Sequence, residues 1–96
     1  MKVWVSLMGE LGKLAKARPL AVELEDGADL RSLIRELDRL TSSPVSSAIL
    51  VQGERIASAY SVMCNGANVL LGCGLATVLN DGDQVAVMPK VAGGVG

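Results

Sequence analysis

An α+β domain with one mixed sheet and one amphipathic helix is the fold class this chain predicts, and three observations predict it. Stretches near both ends alternate apolar and polar residues with the period of a half-buried strand. One stretch near the middle repeats apolar residues at helical spacing. The chain has 96 residues, half of them apolar, which suits a single small core and leaves little room for a deep cleft.

Lys2 to Met8 reads as the first strand, with Val3, Val5 and Leu7 on one side and Lys2, Trp4 and Ser6 on the other. Gly9-Glu10-Leu11-Gly12 breaks it. Leu20 to Glu25 alternates again, with Leu20, Val22 and Leu24 on one side, and its nearness in sequence predicts a hairpin with the first strand. Asp26-Gly27 ends it. Ala28 to Leu40 is the helix: Asp29 suits the N-cap, and Leu30, Leu33, Ile34, Leu37 and Leu40 form one apolar stripe. Arg31, Arg35, Glu36, Asp38 and Arg39 are expected to face water. Thr41-Ser42-Ser43-Pro44 stops the helix.

From Val45 to Ala59 the pattern fits a short helix or a short strand around Ala48-Ile49-Leu50-Val51, with a turn at Gly53-Glu54. Tyr60 to Cys64 is a further strand, closed by Asn65-Gly66. Val69 to Leu79 is an apolar, glycine-containing loop, and Asn80-Asp81-Gly82-Asp83 is a turn. Gln84 to Met88 is the last strand, with Val85 and Val87 on one face and Pro89 expected to stop its pairing. The order is strand, strand, helix, strand, strand. Laying the helix on one face of the sheet buries both apolar surfaces, and sets the first and last strands side by side and parallel. That is the β-grasp arrangement, a mixed sheet of four to five strands over residues 1–90, followed by a flexible tail at 91–96.

Composition excludes several functions. Nine basic and ten acidic residues give a formal charge of −1, and no Lys/Arg cluster stands out, so a phosphate-binding footprint for nucleic acid is missing. There is no His, which removes the commonest general base and zinc ligand. Cys64 and Cys73 are the only cysteines, too few for a disulfide framework or a zinc site. The N-terminus lacks the succession of a signal peptide, and no apolar run approaches the roughly 20 residues that span a bilayer. A cytoplasmic protein, with no membrane partner and no bound metal or cofactor, is expected.

The C-terminal third carries a more specific signal: strand-Asn65-Gly66, then Leu79-Asn80-Asp81-Gly82-Asp83-Gln84-Val85-Ala86-Val87, then Met88-Pro89-Lys90-Val91-Ala92-Gly93-Gly94. Asp-Gly-Asp is a common turn; its fixed distance from a Pro-x-Val-Ala-Gly-Gly tail is not. This pattern resembles the ubiquitin-like MoaD/ThiS-type sulfur carriers of molybdopterin and thiamin biosynthesis, most closely the small subunit of molybdopterin synthase. The resemblance covers nearly the whole chain. It departs from the family in a longer, more apolar loop between Asn65 and Leu79, and in running on past the double glycine with Val95-Gly96.

The resemblance implies a carrier rather than an enzyme. An E1-like adenylyltransferase would use ATP to adenylate the terminal glycine carboxylate, which is then converted to a thiocarboxylate that donates sulfur. A carboxylate resists nucleophiles, and an AMP leaving group removes that resistance without any acid, base or metal from the carrier. Glycine suits a tail that threads a narrow channel. Gly93 and Gly94 are therefore the candidate reactive residues. Two further residues would overshoot by ~7 Å, so a peptidase is expected to remove Val95-Gly96, with Gly96 the reactive end if it does not. Met88, Pro89, Val91, Ala92 and Leu75 are the candidate contacts to partners, which are the activating enzyme and the large subunit of molybdopterin synthase or an equivalent sulfur acceptor.

Other readings stand beside these. Met88 could equally pack into the core. Leu70, Leu71 and Leu75 either fold over the sheet edge or form an exposed patch. Cys64 reads as a small core residue, and Cys73 as an incidental loop cysteine. At the level of function, the alternatives are a ubiquitin-like modifier joined to target lysines and a non-reactive binding module.

Overall fold

The computed structural model describes residues 1–90. β1 (Lys2–Leu7) and β2 (Leu20–Glu23) pair antiparallel, with Val3 opposite Val22 and Val5 opposite Leu20. Their link is longer than a hairpin turn and contains a 3₁₀ turn, Gly9–Leu14, that buries Leu11. α1 (Leu30–Thr41) follows, then α2 (Val45–Ile49), the small hairpin β3 (Leu50–Val51) and β4 (Arg55–Ile56), β5 (Tyr60–Cys64), β6 (Ala67–Asn68) and β7 (Gln84–Pro89). The main sheet has five strands in the order β2-β1-β7-β5-β6. β1 and β7 run parallel at its centre, with Val5 beside Val85, and β5 pairs antiparallel with β7. This is the expected β-grasp topology.

α1 begins where the Asp29 carboxylate accepts hydrogen bonds from the Ser32 N–H at 2.9 Å and the Ser32 hydroxyl at 3.0 Å. These satisfy one of the orphan donors of the first turn. The Ser32 N–H bond, the largest influence, holds the Asp29 carboxyl below its ordinary pKa. Leu30, Leu33, Ile34 and Leu37 are fully buried against Val3, Val5, Val22, Val62 and Val87 in one core, and Leu40 packs at its margin. Ser42, in the left-handed region, ends the helix.

Two regions differ from expectation. The ambiguous stretch after Pro44 is both alternatives in succession, a helical turn and then a two-residue strand. Asp38, expected to face water, instead binds α2: its carboxylate accepts from the Ser46 N–H at 2.6 Å and the Ser46 hydroxyl at 2.5 Å. The apolar loop is also structured. Two 3₁₀ turns, Val69–Leu71 and Gly74–Ala76, lead into a strap that crosses the start of α1, where the Leu30 N–H donates to Thr77 O and the Leu79 N–H to Ala28 O, both at 2.9 Å. Val69, Leu75 and Leu79 enter the core from this strap.

Candidate functional site

The site expected from sequence is the end of the chain, so the first question is what holds its root. β7 is a central strand, tied on the β1 side as far as Val87 and on the β5 side as far as Lys90, the last described residue. The Met8 N–H donates to Val87 O, and the Lys90 N–H to Ala59 O, each at 2.9 Å. Pro89 is the last residue of the strand, opposite Tyr60, rather than ending the pairing before it. On its other side Pro89 abuts Gly9: a Cβ built at Gly9 would stand 2.9 Å from Pro89 Cγ, and Gly9 has φ of +67°. Both facts favour glycine there. Val91, Ala92, Gly93, Gly94, Val95 and Gly96 lie outside the described residues.

The sheet has two unlike faces. The inner one is covered by α1. On the outer one, Trp4 and Ser6 of β1, Met63 of β5, and Ala86 and Met88 of β7 are each half-buried by strand neighbours. With Pro19 and Gln84 they line an open groove of about 710 Å³. Lys2 Nζ lies 5.6 Å from the centre of the Trp4 ring and rims the same face. Met88 thus stands on the outward side of β7 while Val85 and Val87 point into the core. Of its two sequence readings, the structure places it outside the core. The partners of Met88 in this groove, Trp4 and Met63, were not picked out from sequence. The signal for them is that both are large apolar residues at the outward positions of alternating strands.

The Asn65-Gly66 and Asp81-Gly82-Asp83 motifs lie at the opposite end of β7 from the tail. Asp81 accepts a hydrogen bond from the Lys2 N–H at 2.7 Å. Asp83 accepts from Asn65 Nδ2 at 2.9 Å and from the Asn80 N–H at 2.8 Å, while Asn65 Oδ1 accepts from the Gln84 N–H at 2.9 Å. These bonds lock the start of β7 to β1 and to the end of β5. The motif residues therefore fix the register of the strand that delivers the tail.

Leu75 does not join the outer surface. It is 7% exposed and packs with the core, so its assignment as a partner contact is corrected: the 3₁₀ turn that carries it points it inward. Leu71 (89% exposed), Leu70 and Val78 carry the exposed apolar surface of that segment instead. Cys73 is exposed, and Cys64 is half-buried at the end of β5. Burial, and then the neighbouring Asp83 carboxylate, push the Cys64 thiol above its ordinary pKa, which makes it a poor nucleophile. Among the described residues no three His, Cys, Asp or Glu side chains gather in a group suited to a metal, and no helix is long and apolar enough to cross a membrane.

Comparison with known proteins agrees with this geometry. The chain is 40% identical to small archaeal modifier protein 3 of Haloferax volcanii over 71% of this chain and 67% of that protein. It is 34% identical to a proposed sulfur carrier protein of Archaeoglobus fulgidus over 68% of this chain and 73% of that one. Among solved structures it resembles a proposed subunit 1 of the molybdopterin converting factor from Pyrococcus furiosus, with a TM-score of 0.67, 26% identity, and coverage of 94% of this chain and 98% of that one. The model of the ThiS family matches residues 5–94, a stretch that runs from β1 through the double glycine and stops there. With its β-grasp topology and its centrally held last strand, the chain belongs to the ThiS family of ubiquitin-fold sulfur carriers and small modifiers.

Proposed function

We propose that this chain is a cytoplasmic sulfur carrier whose C-terminal glycine is activated and loaded with sulfur by other proteins. The carboxylate oxygen attacks the α-phosphorus of ATP in the site of an E1-like adenylyltransferase, and pyrophosphate leaves. Hydrosulfide from a sulfur donor then attacks the acyl carbon, AMP leaves, and the thioacid loses its proton to give a thiocarboxylate. The observation that carries this reading is the family match ending on Gly94, five residues beyond the last residue of the centrally paired strand β7. From Lys90, four residues can extend by roughly 13 Å, enough to pass a terminus into another protein's site while the body stays outside. Gly94 is the reactive residue once Val95-Gly96 has been removed by a peptidase, and Gly96 in the untrimmed chain.

The sulfur acceptor is a molybdopterin synthase large subunit or its equivalent. Pro89-Lys90-Val91-Ala92-Gly93-Gly94 supports this pathway, as does the likeness to the Pyrococcus protein. The outer groove around Met88 and Trp4 serves as the docking face, with Pro89, Val91 and Ala92 continuing the contact. A groove this apolar supplies affinity by desolvation, while a net charge near zero supplies little.

A second reading is favoured by the 40% identity to a small archaeal modifier protein: the same activated glycine would be joined to lysines of target proteins. Incubation with ATP, a sulfur donor and the E1-like enzyme of the same genome separates the two. A thiocarboxylate supports the carrier, lysine adducts support the modifier, and no reaction with either would leave a binding module.

A further inference from the structure

The fold separates charge along the sheet. At the start of β1 and β7 stand Glu23, Asp26, Asp81 and Asp83, with Glu23 opposite Lys2, and Asp26 3.6 Å from the terminal amine. The other end lies one strand length away, about 20 Å for six residues. There the loop after β1 carries Lys13, Lys16 and Arg18, which line one concavity of about 360 Å³ with Gly9 and Gly12. Gly9 in that concavity is the residue that abuts Pro89, and Lys90 follows at the root of the tail. Segments 9–18 and 89–90 together hold four of the nine basic residues and only Glu10 of the ten acidic ones; the rest of the chain holds five basic and nine acidic. A formal charge of −1 therefore hides a dipole whose positive pole lies beside Pro89 and Lys90. The contact between Gly9 and Pro89, 80 positions apart, brings Lys90 toward Lys13, Lys16 and Arg18, which already stand close together in the sequence.

The geometry points to a second docking surface: Lys13, Lys16, Arg18 and Lys90 form a basic collar that seats against an acidic rim around the channel of the protein that receives the tail. This rests on the tail-transfer reading above and names the chemistry of the partner's rim. The collar is separate from the Met88 groove. It borders the tail's root on the Gly9 side, so it faces the surface that the tail enters. Exposed charges of this kind add modestly to affinity but orient the encounter. A dipole with its positive end at the tail turns the carrier tail-first toward an acidic channel mouth, and keeps its acidic end away from it. The occupant is a protein surface rich in carboxylates, because the collar borders a peptide tail and lacks the aromatic platforms that single-stranded nucleic acid uses.

ATP–pyrophosphate exchange by the E1-like adenylyltransferase of the same genome tests this, with the carrier concentration and the salt varied. The collar variant Lys13→Glu/Lys16→Glu/Arg18→Glu is compared with Arg35→Glu/Arg39→Glu/Arg55→Glu, which changes the net charge equally at residues of α1 and β4 outside the concavity. All six side chains are exposed, and circular dichroism confirms that both variants fold. The collar variant should raise KM by about tenfold or more with kcat little changed, and the control variant should not. Added salt should raise the KM of the wild-type chain and lower that of the charge-reversed collar variant, whose repulsion from the acidic rim it screens. Equal KM values for the two variants, or a wild-type KM indifferent to salt, would overturn the collar. Loss of RNA-oligonucleotide binding by the collar variant with KM unchanged would assign the pole to nucleic acid and overturn it as well. Absence of exchange with the wild-type chain would instead refute the activation reading on which the collar rests.

Discussion

The two faces of the main sheet are made by the same strands and differ in what covers them. On the inner face, Val3, Val5, Val22, Val62, Val85 and Val87 meet the leucines of α1 and are buried almost completely. On the outer face, Trp4, Met63 and Met88 are as apolar, yet no helix among the described residues lies over them. Folding accounts for the first set. It does not account for the second, since a solvated outer face would be served by the polar residues that alternation normally places there. Apolar residues at outward strand positions are therefore read as selected for a partner, and the comparison can be broken from either side.

The inner face should show the largest effect. Leu33→Ala or Leu37→Ala should lower stability by about 2–5 kcal/mol in chemical denaturation, through lost burial and a residual cavity. A loss below about 0.5 kcal/mol, typical of surface positions, would mean that the helix is not the lid of the core. On the outer face the same logic reverses. Met88→Asp should leave the denaturation midpoint nearly unchanged but weaken binding to the sulfur acceptor by tenfold or more, roughly 1.4 kcal/mol or above. Titration calorimetry decides it, and an unaltered Kd removes the groove from the docking surface.

A smaller effect belongs to the helix start. Asp29→Ala should cost about 1 kcal/mol near neutral pH, the usual value of a side-chain N-cap. Because the folded protein holds the Asp29 pKa below its ordinary 3.8, the charged cap stabilises fully above that value. Its contribution fades as pH falls through the lower folded pKa, so the wild-type and variant curves should converge in acid. A difference that stays constant down to strongly acid pH would point to a packing role instead. The smallest test concerns the cysteines. At mildly alkaline pH, iodoacetamide should modify exposed Cys73 well before Cys64, whose thiol is held protonated by burial and by Asp83. Peptide mapping that found the reverse order would contradict the burial of the end of β5.

What was legible in the sequence was what repeats locally. The alternation of β1 and β7 and the leucine stripe of α1 each name their buried face within one element, and the β-grasp order follows from them. What was not legible depends on contacts between distant segments. α2 has five residues and takes its start from Asp38, a residue that its own helix pattern assigns to solvent. Leu75 lies in a segment without period, so nothing local separated it from Leu70 and Leu71; only the strap over the start of α1 turns it inward. The Asp81-Gly82-Asp83 turn was visible, but its bonds to Lys2 and Asn65 span 79 and 18 residues. Met88 stays open between core and partner in the sequence, although its phase is opposite to that of Val85 and Val87, while the tail motif is recognisable by resemblance. Lys13, Lys16 and Arg18 stand close together in the sequence, but the approach of Lys90 to them depends on the contact of Gly9 with Pro89.

The most direct test of the central claim is the intact mass of the protein recovered from its own cells under conditions that preserve thioacids. The account predicts a fraction ending at Gly94 whose mass exceeds the calculated value by the difference between one sulfur and one oxygen, and which fragments to place that sulfur on the terminal carboxyl. A protein found only with an unmodified carboxyl, or only as adducts on target lysines, would contradict the carrier.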